Sequence, residues 1–155
     1  MKLISLLEKL EYTCLQGSTD QEVKNVIYDS RKVEEGSLFI CIRGAVVDGH
    51  KFVPDVVAKG AKVLIVEEAV EVPEDVTVIL VKDTRYAMAF ISAAYFGYPA
   101  EKLKTIGITG TKGKTTTTYM VKSILENAGY KVGLIGTIEA IIGDKVIPAK
   151  NRSEE

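Results

Sequence analysis

The chain has 155 residues, 46% hydrophobic and 26% charged, with a formal net charge of −1. That much apolar side chain can bury a core, which excludes general disorder, and length alone suggests about one domain. A near-neutral balance provides no global positive field for nucleic acid or anionic lipid, so any anion binding must come from a local site.

Residues 2–11 place Leu3, Ile4, Leu7 and Leu10 at helical spacing and predict a short amphipathic helix. The same stretch carries Lys2, Glu8 and Lys9, so it is not a signal-peptide core. Residues 24–29 predict a strand ending at Asp29-Ser30-Arg31. The run Ser37–Arg43 is nearly continuous in apolar residues, as expected for a strand buried on both faces. A glycine-flanked loop, Gly44–His50, follows. Phe52–Lys59 predicts a helix stopped by Gly60. Lys62–Val66 and Val76–Val81 predict two more strands. Thr84–Tyr98 predicts a helix ended by Gly97 and Pro99. Its apolar part, Ala87–Tyr98, is shorter than the ~20 residues a membrane helix needs.

Pro99–Lys102 reads as a linker. Leu103–Thr109 then predicts a strand running into a glycine-rich turn and a helix over about 114–128. That helix puts Met120, Val121, Ile124, Leu125 and Ala128 on one face, and Gly129 stops it. Lys131–Ile135 predicts a strand, and Ile138–Ile147 a hairpin turning at Gly143-Asp144. One helix cannot cover both faces of a parallel sheet. The expectation is that this second unit packs on the first or lacks most of its sheet.

The sharpest chemistry lies in Ile106–Thr116, where a strand feeds a Gly-rich turn that opens a helix. Glycine lets backbone N–H groups approach one point, and a helix start adds unsatisfied donors and a partial positive charge. Together these suit phosphate oxygens. The expected ATP-binding residues are Gly110, Thr111, Lys112, Gly113, Lys114, Thr115 and Thr116. Lys112 also reads as a solvated loop charge. Lys114 would bring a full charge to the β/γ-phosphates, and the Thr115 hydroxyl would ligate Mg²⁺. The spacing is G-x-x-G-K-T from Gly110, shorter than G-x-x-x-x-G-K-[ST], because Ile108 stands where the longer motif needs glycine. Four β-branched threonines at a helix start suggest that their hydroxyls are used. The alternative is an ordinary strand-to-helix turn capped by Thr111 or Thr115.

Two further clusters stand out. Tyr28-Asp29-Ser30-Arg31 offers a hydroxyl and a guanidinium, which can hold a diphosphate. Gly44–Phe52 is a loop able to approach a planar base. Read alone, Asp29 and Ser30 are equally turn residues, and His50 a surface histidine. Cys14 and Cys41 have no CxxC and only one histidine beside them, so no zinc site is expected. Two free thiols fit a reducing cytoplasm.

The order Asp29-Ser30-Arg31, Gly36-Ser37-Leu38-Phe39, Asp48-Gly49-His50-x-Phe52 and Thr109–Thr117 resembles the Mur ligases. The Thr-rich loop, Gly133–Ile138 and the hairpin look most like the MurE type, which adds an amino acid to UDP-N-acetylmuramoyl-dipeptide. The resemblance covers about Tyr28–Asn151. It implies an α/β fold, with a small mixed-sheet, nucleotide-sugar-binding N-terminal domain over residues 1–99. The truncated start of a P-loop central domain would follow over 103–155.

It also implies a UDP-N-acetylmuramoyl-peptide substrate held by Tyr28, Ser30, Ala45, Val46, Val47 and Asn151, with Lys114 and Thr115 as catalytic groups and ATP and Mg²⁺ as cofactors. In the family reaction the substrate carboxylate becomes an acyl phosphate, which the amine of lysine or meso-diaminopimelate attacks. The resemblance implies no nucleic-acid or membrane partner. Two departures matter. Arg152 and Ser153 stand where the family has a Thr-Thr pair after the asparagine. The family's further metal ligands, modified lysine and third domain are also missing. An N-terminal part of such a ligase, inactive alone, is the expectation, completed by domains in cis or from a separate chain. The alternatives are a non-catalytic nucleotide or UDP-sugar binding module and a folylpolyglutamate synthetase relative. The Asp29-Ser30-Arg31 domain argues against the last.

Overall fold

Alternate residues of the central strands point to opposite sides of one sheet, and both sides are buried. Leu38, Ile40, Val63, Ile65, Ile79 and Val81 join one apolar cluster, and Phe39, Cys41, Leu64, Val66, Val76 and Val78 join the other. This is why the strand sequences run apolar without alternation. The structure, a computed structural model, describes residues 1–44 and 47–149. The chain divides into two compact units, Met1–Lys104 and Thr105–Glu155.

The first unit holds a five-stranded mixed sheet in the order β1-β5-β4-β3-β2. Its strands are β1 (Thr13–Gln16), β2 (Asn25–Ile27), β3 (Ser37–Ile40), β4 (Val63–Val66) and β5 (Thr77–Leu80). β2 through β5 are parallel neighbours in chain order, and β1 is antiparallel on the outer side of β5. α1 (Leu3–Leu6) and α3 (Thr84–Tyr95) cover one face with Leu3, Leu6, Ala87 and Ile91. α2 (Val53–Ala58) covers the other with Val53 and Val56.

Several elements are shorter than their sequence suggests. α1 stops at Leu6 rather than residue 11, and β3 at Ile40 rather than Arg43. α3 ends at Tyr95 rather than Tyr98, because the chain turns left-handed at Gly97 and Tyr98, with φ of 71° and 52°. Tyr98 is held there by its hydroxyl donating to Glu8 at 2.8 Å and by Lys9 lying 3.9 Å over its ring.

In the second unit, α4 (Lys114–Asn127) is followed by an antiparallel meander of β6 (Gly133–Ile135), β7 (Glu139–Ile142) and β8 (Lys145–Pro148). The strand expected over Leu103–Thr109 does not form. No strand among the described residues pairs with it, and all of it except half-buried Ile108 is exposed. An apolar run becomes a strand only when a ladder partner accepts its backbone groups. Met120 and Ile124 on α4 are 61% and 66% exposed, as is Ile135 at 86%. Among the described residues no helix is long and apolar enough to cross a membrane.

After β2, Asp29 caps a 3₁₀ turn, Ser30–Lys32, by accepting from the Arg31 amide at 3.1 Å. The Arg31 guanidinium donates to both Asp29 oxygens, at 2.9 and 2.8 Å.

Two tests follow from this packing. Phe39 is fully buried between the sheet and α2. Phe39→Ala is expected to cost about 3–5 kcal/mol in urea unfolding. Ile135→Ala, at an exposed site, should change stability by under ~0.5 kcal/mol. The hydrogen bonds from Arg31 hold the Asp29 carboxyl down from 3.8 to about 2. A lowered pKa stabilises the fold above pH 3.8, and the contribution is lost as pH falls towards 2. Asp29→Asn should therefore flatten the acid side of a Tm-against-pH profile between pH 4 and 2 and leave its neutral side nearly flat.

Candidate functional site

α4 begins at Lys114, and Gly113 before it takes a left-handed conformation, φ 77°, that disfavours a residue with a Cβ. Among the described residues no side chain caps the helix, so neither Thr111 nor Thr115 serves as a cap. The first intrahelical bond runs from the Thr117 amide to the Gly113 carbonyl, 2.9 Å. The amides of Lys114, Thr115 and Thr116 therefore have no acceptor among the described residues. They stand at the positive end of a 14-residue helix.

The threonine run divides into two pairs. Thr117 donates its hydroxyl to the Gly113 carbonyl at 2.9 Å, and Thr118 to the Lys114 and Thr115 carbonyls at 2.7 and 2.8 Å. These back-bonds let β-branched residues sit in a helix. The hydroxyls of Thr115 and Thr116 donate to no protein group among the described residues. Lys114 folds back so that Nζ donates to the Gly110 carbonyl at 2.5 Å, laying its charge across the loop.

A cavity of about 310 Å³ lies beside the helix start, and Lys114, Thr115, Thr118, Tyr119, Thr137 and Glu139 are among its lining residues. The Tyr119 hydroxyl donates to the Glu139 carboxylate, tying α4 to β7. That bond, with some burial, raises the Tyr119 pKa. Sequence reasoning missed both residues. They are 20 positions apart, and neither belongs to a motif.

In the first unit, parallel pairing of β2 with β3 brings the two sequence clusters to one edge of the sheet, outside the strands' carboxyl ends. Ligands of open α/β sheets bind at that edge. Tyr28 is 68% exposed. Ser30 accepts Lys59 Nζ on its carbonyl at 3.1 Å and keeps its hydroxyl free of protein partners among the described residues. Arg31 arrives already paired with Asp29, so only its remaining N–H groups could meet a diphosphate. Gly44 donates to the Val47 carbonyl at 2.9 Å. Ala45, Val46 and Asn151 lie outside the described residues.

His50 is not a surface histidine. It is 8% exposed, with Nδ1 2.6 Å from Asp48 and Nε2 accepting from the Glu67 amide at 3.0 Å. Asp48, His50 and Glu68 bring potential ligand atoms within 4.8 Å of one another. The cluster does not read as a metal centre, because both imidazole nitrogens are engaged and Arg43 already pairs with Asp48 and Glu68. Burial pushes the Cys41 thiol up to about 12, which leaves it inert.

Comparison with known proteins adds the family. Residues 22–96 match the Mur ligase family, catalytic domain, and residues 108–154 match the Mur ligase middle domain. All 155 residues align, at 52% identity, with the UDP-N-acetylmuramoyl-L-alanyl-D-glutamate–2,6-diaminopimelate ligase of Clostridium perfringens, covering 32% of it. A solved structure titled as the same kind of ligase is similar with a TM-score of 0.72, over 96% of this chain and 30% of that one. At 24% identity this likeness shows the fold. The MurF ligase of Thermotoga maritima, solved in complex with ADP, is similar with a TM-score of 0.51 at 26% identity, over 68% of this chain and 24% of that one. The chain spans about a third of the length of the curated relatives it matches. Both units carry matches to the same enzyme family, on an α/β fold with a mixed sheet, and the chain belongs to the Mur ligase family.

Proposed function

We propose that this chain supplies the nucleotide-sugar-binding and ATP-binding parts of a ligase that joins a diamino acid to UDP-N-acetylmuramoyl-L-alanyl-D-glutamate in peptidoglycan synthesis. The observation that carries this is the start of α4. Three adjacent amides there lack acceptors among the described residues, beside the Lys114 ammonium and a Thr115 hydroxyl that donates to none of those residues. Phosphate oxygens are the acceptors such a group of donors suits.

In this reading the amides of Lys114–Thr116 hold the phosphates. Lys114 exchanges the Gly110 carbonyl for a β/γ-phosphate oxygen. Thr115 would ligate Mg²⁺, which supplies charge neutralisation when bound. The donor set fits that role, because a free hydroxyl lies at a cavity that also contains a carboxylate, Glu139. Phosphoryl transfer from ATP to a carboxylate depends on positioning and electrostatics more than on covalent help from the protein. Tyr28, Ser30 and the Gly44–Val47 turn would hold the UDP part, with Asn151 reaching the substrate. The parts of the relatives not matched here would complete the catalytic assembly, in the same chain or from a separate one. Free Cys14 and Cys41 fit a reducing cytoplasm.

Calorimetric titration tests the reading. ATP with Mg²⁺ is expected to give saturable heat, and Lys114→Ala to weaken binding at least ~tenfold, or about 1.4 kcal/mol. Heat unchanged in Lys114→Ala would contradict the phosphate assignment.

A further inference from the structure

We propose that His50 is a positioning residue for the nucleotide-sugar site, a Nδ1-protonated imidazole that ties the turn after β3 to the carboxyl end of β4. The inference rests on the nucleotide-sugar reading of Tyr28, Ser30 and the Gly44–Val47 turn.

The protonation state follows from the partners. The Glu67 backbone N–H can only donate, and it points at Nε2 from 3.0 Å. Nε2 must therefore present a lone pair, and the ring proton sits on Nδ1. Nδ1 then donates to Asp48 Oδ1 at 2.6 Å. The same carboxylate oxygen accepts from the His50 amide at 3.0 Å. These bonds hold the Asp48 carboxyl below its usual range, the backbone bond contributing most. A charged Asp48 in turn keeps the proton on Nδ1.

The turn itself is closed by local contacts. Gly44 donates to Val47, Gly49 donates to the Ile42 carbonyl at 2.8 Å, and Arg43 Nε reaches Asp48 Oδ2 at 3.2 Å. A Cβ on Gly49 would stand 2.7 Å from the Ile42 backbone, so only glycine brings His50 this close under the strand. Arg43 also reaches past β4, to Glu68 at 2.5 Å and Glu67 at 3.9 Å, and its carbonyl accepts from Arg85 of α3 at 3.2 Å. His50 adds a buried link. It joins the turn to Glu67, whose side chain accepts from the Thr84 amide and hydroxyl at 2.8 and 2.7 Å. A continuous run of hydrogen bonds thus connects the turn, the end of β4 and the start of α3. Asp48, Glu67 and Glu68 surround Arg43 with negative charge, so the cluster is unsuited to holding a diphosphate itself. Its role is to set where Gly44 and Val47 stand at the strand ends.

Two substitutions separate this role from simple packing. His50→Gln is long enough to offer an acceptor to the Glu67 amide. His50→Asn reaches Asp48 but not Glu67. With UDP-N-acetylmuramoyl-dipeptide titrated into the full chain, His50→Asn is expected to weaken binding at least tenfold and His50→Gln by less than threefold. ATP–Mg²⁺ binding should stay unchanged in both. Imidazole ¹⁵N spectra of the wild type should show a protonated Nδ1 and a bare Nε2. Wild-type affinity in His50→Asn, or a proton on Nε2, overturns the inference while leaving the nucleotide-sugar site standing. Equal losses in both variants with matching drops in Tm overturn it as well. No binding by the wild type overturns the nucleotide-sugar reading, and the inference falls with it.

Discussion

The first turn of α4 leaves three amide hydrogens with nothing among the described residues to receive them. A capping side chain would satisfy one of them and occupy the mouth of the helix. Gly113 fills the capping position without offering a side-chain oxygen, and the next hydroxyls divide their work. Thr117 and Thr118 turn back to the helix carbonyls, whereas Thr115 and Thr116 stay outward. Lys114 bridges to the loop it leaves behind. The local sequence thus engages its own helix carbonyls while leaving its first amides unpaired among the described residues, at some cost in intrinsic helix propensity.

The first unit solves a different problem. Four parallel strands in chain order put every connection from strand to crossover at one edge. Segments far apart in sequence, from Tyr28 to Lys82, therefore share that edge without any of them being adjacent. Polar groups at the ends of β3, β4 and α3 are satisfied by one another through Asp48, His50, Glu67 and Thr84.

What the sequence made legible was local. β3 and β4 were readable because burial on both faces leaves an unbroken apolar run, as in Ser37–Ile40 and Val63–Val66. The start of α4 at Lys114 was readable because Gly113 and the threonine run mark it locally. β1 escaped notice because it lies at the sheet margin, and Thr13, Cys14 and Leu15 are exposed. Leu103–Thr109 carried a strand pattern, yet a strand needs a partner, and pairing is not a property of the segment. The buried setting of His50 was hidden because one of its contacts is the backbone of Glu67, 17 residues away. Tyr119 and Glu139 were hidden for the same reason.

Amide hydrogen exchange of the full chain, with and without ADP–Mg²⁺, tests the central claim most directly. The unpaired amides of Lys114, Thr115 and Thr116 should exchange fast in the free protein and slow by at least ~tenfold at saturating nucleotide. Nucleotide that binds while those three amides keep exchanging at their free rate would contradict the account.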